Sequence, residues 1–450
     1  MTRRQLLPLA AAAIPGVCRP QSSNPAVDYK TDRPHPRLLL PARRLKLVQR
    51  ERERESLRWI AFQTLIKAKA NFPEPGFVDS LYFVTTGDQA YGRRAIEWAL
   101  KGSDVRQQAF VFDWCQELLS AAEKKALGSR MTAGMAALAK DDSIAAASAR
   151  ILAASALTGH EPGMAEQHIA PVVDIWWKRK ILTPIAKGEV PIEQKEHLAL
   201  LEMFHVLRDN LDIDLREAAA KFFTTLPIYH ILAHYPAPFP APENEYRIPL
   251  MAAHQEPDLR EATRSRAAGL AMVAYDNNSQ EMQFLQGWLI NDRFLLRGPY
   301  GIPYEYLWAN PYQPGLSFHY LPNIYHDPRT GRLIIRSTWE DDAVWYYQAG
   351  GARQMFEQGQ IRNLDANALD KQIVMGNTIL LPASMSPRFT IATEDKTTYY
   401  VVGLDPESIY GVEVDDEEIR DVRSDRGGVL ELNFPPKRYA TVLLNKIAKS

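Results

Sequence analysis

"LYFVTTGDQAYGRRAIEWAL", residues 81–100, is an apolar run that closes on Thr-Gly, passes through an Asp and opens a second, amphipathic run. The pattern returns in "ILAASALTGHEPGMAEQHIA" at 151–170, with His160 where Asp88 stood. In both stretches the apolar residues recur at the spacing that lines one face of an α-helix. Gly87 and Gly159 suit the left-handed residue that ends a helix, and Asp88 suits the cap of the helix that follows. A single helical hairpin cannot bury its apolar face, so repeated hairpins stack into a solenoid or close into a toroid.

Outward from these hairpins, helical spacing runs from about Pro41 to Arg297, broken at Gly, Pro and Asp. After Arg297 the character changes. "GPYGIPYEYLWANPYQPGLSFHYLPNIYHDP", 298–328, is rich in Pro, Gly and aromatics, shows no helical period and reads as a long connection packed on something. Beyond it, "RLIIRSTW", "AVWYYQAG", "QIVMGNTILL", "TTYYVVGL", "IYGVEVDDEE", "GGVLELNF" and "YATVLLN" read as short strands separated by turn residues. Seven or so such strands make a β-sandwich.

At 450 residues with 46% hydrophobic content, the chain exceeds what one core serves and can bury two domains. A formal net charge of -1 supplies no long-range field to hold nucleic acid. "MTRRQLLPLAAAAIPGVC" has the order of an export signal: Arg3-Arg4, an apolar run from Leu6 to Ile14, then small residues. The arginine pair followed by Gln5-Leu6-Leu7 also looks like a twin-arginine signal, which predicts a periplasmic or secreted protein. No later apolar run reaches the ~20 residues of a membrane span. Once residues 1–20 are removed, Cys115 is the single remaining cysteine, which excludes an intramolecular disulfide and a cysteine metal cluster.

A helical-hairpin half followed by a strand-rich half, behind an export signal, resembles the heparinase II/III-like polysaccharide lyases. "HPRLLLPARRLKLVQRE" at 35–51 is similar to that group's opening helix, "TTGDQAYGRRAIEWA" to its hairpins, and "GRLIIRSTWEDDAVWYYQAGG" at 331–351 to its first sandwich strands. The resemblance implies an α+β multidomain fold: an export signal over 1–20, an α/α toroid over 21–310 and an antiparallel β-sandwich over 311–450. It implies β-elimination on a uronate-containing polysaccharide, with an acidic poly- or oligosaccharide as partner and no cofactor. It also places "KEHLALLE" on the helix that carries the group's Asn-His pair, with Glu196 at the Asn and His197 at the His, and sets Tyr246 at the group's later Tyr. After "QAGG" the group has a His-x-His-x-Asp run where this chain has "ARQMFEQGQIRNLD", and no histidine follows His326.

Elimination requires a proton to leave a carbon beside a carboxylate, so that carboxylate must be neutralised and the departing oxygen protonated. His197, Tyr246 and Arg247 are the catalytic candidates, with Tyr246 as proton-transfer group and Arg247 as bidentate carboxylate clamp. His205, eight residues along the same helix, pairs with Glu202 in the simplest reading. The loop "HYPAPFPAPENEYRIPL", 234–250, carries five prolines that stiffen it, so Asn244 and Glu245 join Glu196 as substrate-binding candidates. Tyr304, Tyr306 and Trp308 could stack on sugar faces, with His319 nearby, although aromatics also simply fill domain interfaces. No metal site is expected; the acidic run Asp415–Glu418 reads as a solvated hairpin. Two other functions stay open: a non-catalytic glycan-binding relative, and a glycoside hydrolase that would use paired carboxylates such as Asp113, Glu245 or Glu305.

Overall fold

A computed structural model describes residues 29, 31, 33–242, 245–252, 255–291, 296–364, 372–384, 387–416 and 418–447. The export-signal stretch 1–20 and Asn244 lie outside the described residues.

The helical half opens with α1 (Ala42–Glu53), α2 (Leu57–Lys67), α3 (Pro75–Thr86), α4 (Gln89–Lys101), α5 (Val105–Trp114), α6 (Ala121–Leu138) and α7 (Ile144–Leu157). Their ends follow local chemistry. Ser56, Asp88, Asp104, Ser120 and Ser143 each accept a backbone N–H of the following helix, and α3 stops at Gly87 with φ of 76°. Past Gly159, also left-handed at φ of 89°, the chain winds through π-helical segments at Ala165–Ile169, Pro171–Trp176 and Lys178–Leu182 before α8 (Thr183–Ala186). Pro171, which has no N–H, removes one of the ordinary helical hydrogen bonds there. The remaining helices are α9 (His197–Leu211), α10 (Ala220–Leu232), α11 (Leu259–Tyr275), α12 (Gln280–Asn291) and α13 (Ile302–Trp308).

Every second helix packs on the next: α3 on α5, α5 on α7, α7 on α9, α9 on α11 and α11 on α13. α13 in turn meets α2, α2 meets α1, and α1 meets α3. Long side chains tie the chain's two helical ends together. Tyr306 donates to the Val48 carbonyl at 2.6 Å, and Arg44 donates to the Trp308 carbonyl at 2.9 Å.

α13 corrects the reading of 298–328 as a connection without helix. Seven residues make two turns, too few to show a 3.6-residue period among Pro and Gly, and Pro303 sits in its first turn where a proline is tolerated. The rest of that stretch is packed on something, as expected. Gln286 on α12 donates to the carbonyls of Asn310 and Gln313, both at 3.0 Å, and Leu316 N donates to Gln283 O at 2.9 Å.

A short hairpin, β1 (Phe239–Pro240) and β2 (Glu245–Tyr246), interrupts the helices. The strand-rich half then runs β3 (Ile324–Asp327), β4 (Arg332–Arg336), β5 (Trp345–Ala349), β6 (Ala352–Glu357), β7 (Gln360–Asn363), β8 (Ile373–Met375), β9 (Thr378–Pro382), β10 (Arg388–Ala392), β11 (Thr397–Val402), β12 (Ile409–Val414), β13 (Glu418–Arg423), β14 (Val429–Phe434) and β15 (Tyr439–Lys446). These form three sheets, ordered β3-β4-β5-β6-β7, β14-β11-β9-β8 and β10-β15-β12-β13.

Two features differ from an antiparallel two-sheet sandwich. β9 and β11 pair in parallel, with Tyr399 beside Ile379. The sheets also stack three deep, because the middle one is covered on both faces. Tyr399 and Val401 face the third sheet among Val412, Val442 and Leu444, whereas Tyr400 and Val402 face the first among Leu333, Ile335 and Tyr346. A strand buried on both faces loses the apolar-polar alternation that marks sheet sides, so its layer is invisible in sequence. The first sheet turns its other face to the helices, where Ile334, Trp345 and Phe356 join the helical core and Trp345 Nε1 donates to the Leu232 carbonyl at 2.8 Å. The run at Asp415 forms the β12–β13 turn. Asp415 and Asp416 take positive φ, and Asp415 accepts from Thr441 N at 2.8 Å.

Candidate functional site

Where the first sheet meets the N-terminal ends of α9 and α11, a cleft of about 770 Å³ opens. α10 contributes Tyr229, β5 contributes Tyr347, and β4 contributes Arg332. Gln194 and Lys195 come from the turn before α9, and Ser265 from the second turn of α11. Strand alternation explains Arg332: Arg332, Ile334 and Arg336 project from one face of β4, the face that meets the helices.

Arg332 is 3% exposed. Its Nη2 donates to the Tyr325 hydroxyl at 3.0 Å and its Nε to Thr330 Oγ1 at 3.3 Å. The guanidinium lies 4.2 Å from the centroid of the Tyr229 ring. Among the described residues, no carboxylate stands within ion-pair distance of it, and Nη1 has no hydrogen-bond partner. A buried cation held by phenols and a hydroxyl, at the edge of a cleft, is prepared for an anion. The Tyr347 hydroxyl is pushed up by burial and by the adjoining Tyr229 hydroxyl, with Arg332 opposing, so it stays protonated at neutral pH.

Behind the cleft stand three buried histidines. Ser265 Oγ lies 3.0 Å from His234 Nε2, and His234 Nδ1 lies 2.7 Å from the His230 carbonyl. A carbonyl can only accept, so Nδ1 carries the proton and Nε2 accepts from Ser265. His197 Nδ1 faces His230 Nδ1 at 3.2 Å. Burial is the first cause that lowers all three. It brings His230 down to about 4, and the Arg332 guanidinium pushes His197 down further. All three are neutral at pH 7.

The residues singled out in the sequence are spread around this arrangement. His197 is fully buried, its Nδ1 against that of His230, and does not line the cleft. Tyr246 is buried in β2, and Arg247 is held by the Pro236 carbonyl and, at 2.9 Å, by Asp341. Glu196 closes a capping box, accepting from Glu193 N at 2.8 Å, and Glu245 lies beside Tyr246 in β2. Tyr304, Tyr306 and Trp308 are buried along α13 inside the helical half, because a two-turn helix with aromatics on every face can only be accommodated in a core. His319 is exposed and stacks on Phe318 at 4.3 Å. Asp113 accepts from the backbone of Arg37 and Leu38 and pairs with His35, while Glu305 is tied to Arg266 and Arg58. Those two carboxylates are occupied by structural partners.

Arg332, Tyr229 and Tyr347 were not singled out in the sequence. The available signal was a charge on the inward face of "RLIIR", a strand otherwise buried along its length.

No family model matches the chain, and no curated protein matches it. Among solved structures it is similar to a protein described as "Glycoside hydrolase", at 8% identity and a TM-score of 0.30, over 83% of this chain and 71% of that one. A likeness that slight bears on neither fold nor chemistry.

Proposed function

We propose that the chain is an exported, heparinase II/III-like polysaccharide lyase whose helical half is an α/α toroid, and that it acts by β-elimination on a uronate-containing polysaccharide in the junction cleft. The observation that carries this is the buried Arg332, which has no carboxylate within ion-pair distance among the described residues and offers Nη1 to a cleft edged by two phenols. The cyclic order of helix contacts, returning from α13 through α2 and α1 to α3, supports the toroid.

In this reading Arg332 pairs with the uronate carboxylate and lowers the cost of charge developing at C5. Tyr229, once its hydroxyl proton has been handed to solvent, takes the C5 proton. The electron pair forms the C4–C5 double bond as the C4–O bond breaks, and Tyr347 gives its proton to the leaving oxygen. Because the two hydroxyls adjoin, proton return from Tyr229 to Tyr347 resets the pair. His197 is a positioning residue behind Arg332, and Tyr246 and Arg247 brace the neighbouring loop.

Purified protein is to be screened on uronate polymers for the ultraviolet absorbance of a 4,5-unsaturated uronate. Tyr347→Phe should lower the rate by roughly 10²–10⁴-fold while binding is kept, the usual contribution of a positioned proton donor. Arg332→Gln should weaken binding as well. Reducing ends without that absorbance would overturn elimination in favour of hydrolysis, and binding with neither signal would mark a non-catalytic relative.

A further inference from the structure

At the other ends of α9 and α11, about 20 Å from the junction cleft by helix length, lies a second cavity of about 880 Å³. Its wall presents five cations, Arg43, Arg44, Lys46, Arg50 and Arg208, against the single carboxylate of Asp209. Arg208 takes that carboxylate at 2.6 Å. Among the described residues, Arg43, Arg44, Lys46 and Arg50 have no carboxylate within ion-pair distance. We propose that this cavity binds a small hydroxylated molecule carrying sulfate or phosphate esters.

Helix capping accounts for part of the cluster. Arg208 donates to the Tyr275 carbonyl at the end of α11, and Arg44 to the Trp308 carbonyl at the end of α13. It leaves Arg43 and Lys46, both exposed, unaccounted for in a chain whose charges otherwise nearly cancel. Arg50 is held 4.6 Å from the Tyr312 ring centroid, so its guanidinium is aimed before any ligand arrives. Arg44 is the half-buried member of the α1 cluster. Burial first, then Arg43 and Arg208, bring its pKa down to about 10 against the pull of Asp209. A tetrahedral oxyanion relieves that repulsion, because its oxygens accept from several guanidinium forks at once. The amides of Asn277 and Asn278 on the same wall suit neighbouring hydroxyls.

The test is calorimetric titration of the full chain, at low salt, with inorganic sulfate, inorganic phosphate, sucrose octasulfate and inositol hexakisphosphate, with a single-stranded DNA oligomer in a parallel arm. Saturable single-site binding of a polyanionic ester is expected, weakened about tenfold in each of Arg43→Gln and Arg50→Gln and weakened further by salt. Both substitutions are at exposed positions, so unchanged melting will show that the fold is intact. Preference for the octasulfate or the hexakisphosphate names the ester. Arg332→Gln should leave this binding unchanged, which separates it from the junction cleft. No saturation up to about 1 mM, an affinity in both variants equal to the parent's, or DNA binding as tight as either ester would overturn the proposal.

Discussion

Replacing Arg106 with methionine should be among the most damaging single changes in the helical half, and replacing its partner at the same time should restore most of the loss. Arg106 on α5 donates to Glu202 on α9 at 2.8 and 2.6 Å, to Glu74 before α3 at 2.8 Å, and to the Tyr304 hydroxyl on α13 at 3.0 Å. One guanidinium therefore joins four of the helices that pack in succession. Side-chain exposure is 17% for Arg106, 18% for Glu74 and 1% for Glu202. Removing the cation leaves the Glu202 carboxylate unpaired in the interior, which costs about 3–5 kcal/mol when a buried pair is broken from one side. Glu74 keeps the Tyr304 hydroxyl and some contact with water, so the lower half of that range applies. Arg106→Met with Glu202→Leu removes both charges and fills the space with apolar atoms, and should lie within roughly 1–2 kcal/mol of the parent. Urea unfolding followed by circular dichroism and tryptophan fluorescence measures all four corners of the cycle. A single variant that loses less than about 1 kcal/mol, or a double variant whose loss equals the sum of the singles, would refute the reasoning that these charges are buried and coupled.

Three further outcomes follow from particular contacts. A Cβ on Gly287 would stand 1.7 Å from the Leu316 carbonyl oxygen, so Gly287→Ala must push the 309–316 segment off α12, costing about 2–4 kcal/mol with the hydrogen bonds lost there; hydrogen exchange in that segment should rise, and unchanged exchange would contradict the packing. His230, brought down to about 4 by burial, stays neutral in the fold while the unfolded chain takes up a proton below about pH 6.5, so stability should fall as pH drops from there towards 4; His230→Gln should flatten that slope, and an identical slope would count against a buried neutral ring. His326 is the opposite case: burial alone would lower it, but Asp425 and Glu431, at 3.0 and 2.9 Å, raise it overall. Its stabilising contribution is complete below about pH 6.5 and is lost as pH rises through the folded value, so His326→Gln should cost more in melts near pH 6 than near pH 9.

Local physics was enough to show the helical hairpins, because an apolar stripe, a Gly that reaches positive φ and an Asp that caps the next helix are all properties of a few neighbouring residues. The same holds for the change to strands after Arg297 and for the Asp415–Asp416 turn. What composition and spacing left undecided was where each element goes. Parallel pairing of β9 with β11 brings together residues with a whole strand between them, and the stacking of three sheets rests on β9 and β11 being covered from both sides, which erases the alternation a reader depends on. α13 was hidden by its brevity. The functional groups were harder still. His197 carried a recognisable position on its helix, yet its surroundings are set by His230 on α10 and by Arg332 on β4, more than a hundred residues away. Arg332 looked in sequence like one charge in a strand, and Tyr229 and Tyr347 like core aromatics. Their meeting at one cleft, and the lack, among the described residues, of a carboxylate within ion-pair distance of the arginine, depend on the packing of the first sheet against α10, because burial and charge pairing are settled by neighbours in space and not by neighbours in the chain.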